Sequence, residues 1–352
     1  MPPARSFRVV LALAVLAACR ESTTPSEETT FEETTFAAPI EDASMADVFY
    51  GAYMDHDPAA SAQDWSCGIK SYDGHGGVDI LLRNFRVQDL GVPVIAAAGG
   101  TVIGTIDGLP DRNTTWDVSG YGNYVEISHP GGLTTIYGHL RRGSIAVTQG
   151  QQVKEGALLG LVGSSGKSNW PHLHFEVRRS GASVDPFAGE CSVQESLWTN
   201  QLAYQDTFIV MDAGLTDQPV TLAALLERPP TLSAFPLNAA GFRLWIQTVN
   251  QRASTVRYEM HAPGGALHET VEQQVGAAFS TRYLVLNVAV SGALSEAGAW
   301  EIRTYQDGQL VWTQPFTLLP AAAADAAGAS VQAASTLEVQ VLDQAPGADA
   351  HP

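Results

Sequence analysis

The sequence predicts an all-β protein with two folded domains, and three observations carry that expectation. Short β-branched or aromatic runs recur between glycine-containing turns, as in VPVIAAAGGTVIGTI, NYVEISH, LTTIYGHL and HLHFEVRR. Such runs suit short pleated strands and imply little helix. A second set of alternating runs follows residue 204, including FRLWIQTV, STVRYEM and RYLVLNVAV. The 352 residues, 45% hydrophobic and 8% aromatic, can bury one sizeable core and a second, smaller one.

At the N-terminus, Arg5 and Arg8 precede an apolar run from Val9 to Ala18, too short to span a bilayer, so residues 1–18 read as an export signal. The run ends in Leu16-Ala17-Ala18-Cys19, which resembles the bacterial lipobox and implies a lipid on Cys19. The expectation is an exported lipoprotein anchored to a membrane of the cell envelope, or a form released outside the cell. If Cys19 carries lipid, Cys67 and Cys191 remain as an even pair in an oxidising compartment, where a disulfide is the simplest outcome. Residues 19–44, rich in Ser, Thr, Glu and Pro and containing EETTF twice, have too little apolar surface to fold and read as a disordered tether.

Residues 45–198 are expected to form the first β domain and residues 204–319 the second. Within the second, Asp307-Gly308 stands between two alternating runs, a hairpin signal. The number of strands suggests a β-sandwich of immunoglobulin type, although the Cys-Trp-Cys pattern of true immunoglobulin domains is missing. Residues 320–352 are Ala-rich and acidic and are expected to be disordered. The formal charge of -18 argues against nucleic acid as a partner, because neutralising phosphates requires clustered Lys and Arg.

The chemistry concentrates in three segments of the first domain. In WPHLHFE, His172 and His174 alternate with Leu173 and Phe175, so on a strand the two imidazoles share one face. In DGHGGVDI, His75 and Asp79 stand four apart, and TIYGHL places His139 in a third strand-like run. Catalytic zinc takes three protein ligands and leaves a fourth position open. His75, Asp79 and one of the clustered histidines supply such a set. The remaining histidines are a surplus, which suggests catalysis rather than a structural metal, since hydrolysis also needs groups that move protons or stabilise charge.

These blocks, in order HGGVD, GVPVIAAAGGTVI, GYGNYVEISH, TTIYGHL and VTQGQQVKEGALLGLVGSSGKSNWPHLHFEV, resemble the lysostaphin-type (LytM, peptidase family M23) zinc metallopeptidase domain. The resemblance runs from about Gly74 to Val177. It implies an antiparallel β-sheet metallopeptidase domain with one zinc ion held by His75, Asp79 and His174, and with His139 and His172 as catalytic histidines beside the open position. It also implies a bacterial peptidoglycan peptide as substrate, hydrolysed by metal-activated water. The alternatives are a non-catalytic activator of other wall hydrolases and a wall-binding protein acting through its C-terminal domain. The chain has no H-E-x-x-H, so the glutamate-base mechanism of that zinc class is not on offer.

Other features are decoys or departures. GLVGSSGKS resembles a phosphate-binding loop, but the required first glycine falls at Leu161, so no nucleotide is expected. The family has a small residue where Asn169 and Trp170 stand here, so Trp170 is expected to shape the substrate groove. The segment DGLPDRNTTWDVSGYG is a longer rim loop, and its Trp116 is expected to pack beneath it. His129 is expected in a turn or at the surface. His56, His261, His268 and His351 have no partners at ligand spacing, and Glu176 is expected behind the ligands or in solvent rather than in catalysis.

Overall fold

The computed structural model describes residues 1, 34–41, 48–115, 120–277, 282–290, 293–321 and 337–343. Residues 2–18 of the expected export signal, Cys19, Trp116 and His351 lie outside them. The described part is nearly all β, and no helix in it is long and apolar enough to cross a membrane.

The first domain contains β1 (Val48–Ala52), β2 (Val78–Leu82), helix α1 (Phe85–Leu90), β3 (Pro93–Ile95), β4 (Gly100–Ile106), β5 (Asn123–Ser128), β6 (Leu133–Leu140), β7 (Gln152–Val153), β8 (Leu158–Leu161), β9 (His172–Arg179) and β10 (Ala182–Val184). Eight strands form one antiparallel sheet in the order β1-β2-β9-β6-β5-β4-β7, with β10 following β2 along the same edge of β9. Strands β3 and β8 pair separately. The alternation on β2 and β9 divides their side chains: Val78, Ile80, Leu82, Leu173, Phe175 and Val177 enter the core, while Asp79, His172, His174 and Glu176 occupy the other face. Cys67 and Cys191 form the expected disulfide.

Residues 34–41 depart from the expected disordered tether. Phe36 and Ile40 are 0% and 1% exposed in this core. Phe36 bridges to Trp198, Ile40 bridges to Val94, and the Phe36 ring stands edge-on to Phe175 and His129. Two apolar residues four apart thus strap an extended segment onto an existing core, a docking that mean composition does not reveal.

The second domain contains β11 (Ile209–Thr216), α2 (Leu222–Leu226), β12 (Ala234–Pro236), β13 (Gly241–Val249), β14 (Ser254–His261), β15 (Leu267–Val275), β16 (Arg282–Ala289), β17 (Gly298–Gln306), β18 (Gln309–Leu319) and β19 (Leu337–Asp343). It is an immunoglobulin-like sandwich of two sheets, ordered β11-β13-β16-β19 and β12-β18-β17-β14-β15. Leu244, Ile246, Leu284 and Leu286 from one sheet meet Val256, Tyr258, Trp300 and Ile302 from the other in a shared core. Asp307 and Gly308, both at positive φ, close the β17–β18 hairpin as expected. Strand β19 falls within the segment expected to be disordered. It pairs antiparallel with β16, and Leu337, Val339 and Val341 pack on the sandwich core, so the alternation in LEVQVL outweighs the Ala-rich surroundings.

Strands β13 and β16 are buried on both faces. Trp245, Val249, Tyr283 and Val285, on the face away from the sandwich core, join Leu225 and Leu226 of α2 in one cluster with Phe49, Leu81, Phe85 and Trp170 of the first domain. The two domains therefore share an apolar interface beside the His172 strand.

Candidate metal centre

Three neighbouring strands build the centre through their register. His174 on β9 lies opposite Asp79 on β2 and opposite Gly138 on β6, and His172 lies opposite Leu81. His75 does not continue β2 as an extended residue. It sits in the turn before the strand, with its N–H on the Tyr72 carbonyl, and Gly74 at φ 74° lets the chain fold back. Gly77 is required by close approach, because a Cβ there would stand 2.8 Å from the His174 ring and 2.7 Å from the Phe175 carbonyl.

His139 reaches the site by a different device. Between Asn123 and Val125 on β5, strand β6 carries an extra residue, and His139 sits at this bulge with φ 59°, in the left-handed region. Bulges re-aim side chains, and a non-glycine residue in this region costs roughly 1 kcal/mol or more unless its surroundings hold it there. Hydrogen bonds do so here: its N–H donates to Tyr121 at 2.7 Å, and its Nδ1–H donates to the Ser165 carbonyl at 2.7 Å.

The three expected ligands converge. Nε2 of His75 lies 3.1 Å from Oδ1 of Asp79 and 3.3 Å from Nδ1 of His174, and that Nδ1 lies 2.9 Å from the same Oδ1. All three residues are buried. Nδ1–H of His75 donates to the Tyr53 carbonyl at 2.7 Å, which leaves Nε2 with its lone pair towards the other donors. Converging lone pairs and a carboxylate repel unless a cation or a proton lies among them. Bonds of about 2.05 Å to a tetrahedral zinc would put its ligand atoms about 3.3 Å apart, close to the spacing seen, so the donor set fits zinc.

Behind His174, Oε2 of Glu176 lies 3.4 Å from Nε2, the nitrogen turned away from the other ligands. Glu176 is buried and receives hydrogen bonds from Arg178 at 2.7 Å, from Ser183 at 2.6 Å and from the Tyr121 hydroxyl. Burial opposes its charge, yet bonds from His174, Ser183 and Tyr121 hold its carboxyl well below the usual range. Burial likewise opposes charge on Asp79, but His75, His172 and His174 keep it ionised well below its ordinary value. Burial would lower His174, and Asp79 and Glu176 instead raise it to about 9. The pocket is one that favours positive charge.

His139 and His172 stand beside this triangle with ring centroids 4.6 Å apart. Nδ1–H of His172 donates to the Trp170 carbonyl at 2.7 Å, and its Nε2 lies 3.7 Å from Oδ1 of Asp79. Burial pushes His139 well below its ordinary value, with His172 and His174 adding to the effect. With Nδ1–H given to a backbone carbonyl, the neutral form of each ring carries its lone pair on Nε2.

Other expectations are corrected. Trp170 lines no groove: it is 3% exposed, its Nε1–H donates to the Leu82 carbonyl at 2.6 Å, and it packs against the second domain. His129 does stand at the turn after β5, before Pro130, but is buried there, bonded to the Gly99 carbonyl and to Thr135. His56 pairs with Asp185 at 2.7 Å. The glycine of GSSGKS serves a backbone crossing, since a Cβ on Gly166 would stand 2.3 Å from the Gly122 nitrogen. The sequence reading missed the residues that hold the site: Ser165 through its carbonyl, Ser168 through its hydroxyl 3.3 Å from Nδ1 of His172, and Tyr72, whose hydroxyl donates to Oδ2 of Asp79 at 2.9 Å. Their signal was position alone, just upstream of the ligands.

Comparison with known proteins agrees with this geometry. Residues 73–186 match the family described as Peptidase family M23. The chain is 44% identical over 110 residues to a "Lipoprotein NlpD/LppB homolog" of Pseudomonas aeruginosa, covering 31% of each. It is 38% identical over 131 residues to the "DD-carboxypeptidase/endopeptidase Mpg" of Neisseria meningitidis serogroup B, covering 37% of this chain and 26% of that protein. It is 39% identical over 93 residues to the "Murein hydrolase activator EnvC" of Escherichia coli, covering 26% and 22%. The match thus spans between about a fifth and a third of these relatives' lengths.

Proposed function

Residues 73–186 being a peptidase family M23 domain, we propose that this chain is an exported zinc endopeptidase that hydrolyses peptide cross-links of bacterial peptidoglycan. The observation that carries the reading is the converged set: His75, Asp79 and His174 as one triangle of donors, with Nε2 of His172 3.7 Å from Asp79 and the His139 ring 5.8 Å from that of His174. A relative named as an endopeptidase supports the reaction class, and a relative named as a lipoprotein supports a lipid on Cys19. The Cys67–Cys191 disulfide suits an oxidising compartment outside the cytoplasm.

Zinc held by the three donors would supply a Lewis acid that polarises an amide carbonyl and lowers the pKa of water towards neutrality. The protein's own groups supply the rest. His139 and His172 are buried and each spends Nδ1 on a backbone carbonyl, which leaves Nε2 as the nitrogen suited to take a proton from the attacking water and return it to the leaving amine. Either ring, once protonated, donates a hydrogen bond to negative charge building on the carbonyl oxygen. Glu176 holds Nε2 of His174 and so fixes which nitrogen faces the donor triangle.

The test is digestion of purified peptidoglycan by zinc-loaded and chelator-stripped protein, with products separated and weighed. Soluble cross-link fragments with a new amine, released only by the loaded protein, are expected. No fragments from loaded protein, but faster release by a separate wall hydrolase in its presence, would replace this reading with that of an activator.

A further inference from the structure

The second domain touches the candidate site through the residue that holds His172. Trp170 lies in the apolar interface, with its ring centroid 6.1 Å from that of Tyr283 and with Trp245, Val285, Leu225 and Leu226 in the same cluster. The Trp170 carbonyl accepts Nδ1–H of His172 at 2.7 Å and the Ser168 hydroxyl at 2.8 Å. Leu81, opposite His172 in the sheet, belongs to the same cluster. One side of the site is therefore built on the sandwich.

A second contact reaches the rim loop. Arg112 meets both carboxylate oxygens of Glu227, just after α2, at 2.6 Å, and also binds Asp89 at 2.7 Å while lying over the Phe85 ring. From that loop Asp111 accepts the Ser164 N–H at 2.7 Å, and the Ser164 hydroxyl lies 2.9 Å from Ser168. The ion pair is half-exposed and contributes little in water, so the apolar cluster dominates the docking.

We propose that the C-terminal sandwich is a positioning element of the metal site: by seating Trp170 against Tyr283, it fixes the carbonyl that keeps His172 in its Nδ1–H tautomer with Nε2 towards the donors. This rests on the reading of His172 as a proton carrier. A buried Nδ1–H needs an acceptor, and displacement of a reacting group by about 1 Å can cost on the order of 100-fold in rate. Trp170 is thus a positioning residue, not a catalytic one.

The experiment compares full-length protein with Tyr283→Ala, Trp170→Phe and Glu227→Ala. Tyr283→Ala is expected to lower kcat on peptidoglycan fragments about 10- to 100-fold, with KM and zinc content unchanged. In the zinc-free protein, the nitrogen-15 shifts of the His172 imidazole, assigned by difference from His172→Gln, should move from one tautomer to a mixture. Trp170→Phe, which keeps an aromatic ring of smaller size and loses the bond to the Leu82 carbonyl, should show the same changes more weakly, and Glu227→Ala should change kcat less than about 3-fold. Tyr283→Ala protein that unfolds cooperatively with wild-type kcat and unchanged His172 shifts would overturn the proposal. If Tyr283→Ala does not fold, Leu226→Ala removes part of the same cluster and is read in the same way. If the wild type cleaves no wall material, the imidazole shifts still decide this point while the peptidase reading fails separately.

Discussion

Glu176 stands directly behind His174, its Oε2 3.4 Å from the ring nitrogen that faces away from the other two donors. The carboxylate is buried and bonded on both oxygens, so its position is set before any ion arrives. Glu176→Gln keeps the shape and removes the charge. Zinc affinity should fall about 10- to 100-fold, as read by competition with a chelating dye, and the thermal transition should fall as well, because the amide nitrogen would face groups that now donate to a carboxylate oxygen. Unchanged affinity would mean that Glu176 acts only as a surface for Arg178.

Gly77 admits no side chain. Its Cβ would press on the His174 ring and the Phe175 carbonyl, and the latter is backbone that cannot swing aside. Gly77→Ala should therefore cost about 1–3 kcal/mol of stability, as overpacking does, and should lower zinc content. Metal analysis alongside denaturant unfolding checks both effects.

The Cys67–Cys191 bond closes a loop with a sequence separation of 124. Closing a loop of that size restricts the unfolded chain, and removing such a bond costs about 2–5 kcal/mol. The double substitution Cys67→Ser, Cys191→Ser should lower the urea midpoint by a corresponding amount. Zinc content of the folded fraction should be retained, because neither sulfur touches the donors.

Lys70 gives the protein a pH dependence of unusual sign. Its amine is buried over the Tyr53 ring and donates to the Gln205 carbonyl at 2.7 Å. Burial lowers its pKa from 10.5 to about 7, with Asp64 and Asp206 opposing the shift. Between those values the unfolded chain binds the proton and the folded chain does not, so stability rises as pH increases from about 7 to about 10.5. The gain is at most on the order of 4 kcal/mol. Lys70→Met should remove this rise and be more stable at pH 7, as followed by denaturant unfolding across that range.

That His172 and His174 share one face was legible because strand periodicity is a strict rule, and β2 and β9 pair in register; which of the two is a donor came only with the family resemblance. The turn holding His75 and the bulge aiming His139 were not legible, since both depend on local backbone departures rather than on period. Trp170 was misread for a different reason. Its partners Tyr283 and Trp245 lie in another domain, and only the two-sided burial of β13 and β16 reveals that the sandwich has a docking face. In retrospect, Trp245 and Tyr283 stand where a solvated face would carry polar residues. Phe36 and Ile40 show the same limit, as isolated apolar residues in a polar stretch that find a core already built, and the short alternation of Leu337, Val339 and Val341 was hidden by its Ala-rich surroundings.

Whether His172 works on the substrate while His75, Asp79 and His174 hold zinc is tested by muropeptide release from purified peptidoglycan by wild-type protein and by His172→Ala, with zinc measured in both. One zinc per chain in each protein, and fragments from the wild type alone, are expected. Equal release by His172→Ala, or none from zinc-loaded wild type across several wall types, would contradict this division of roles.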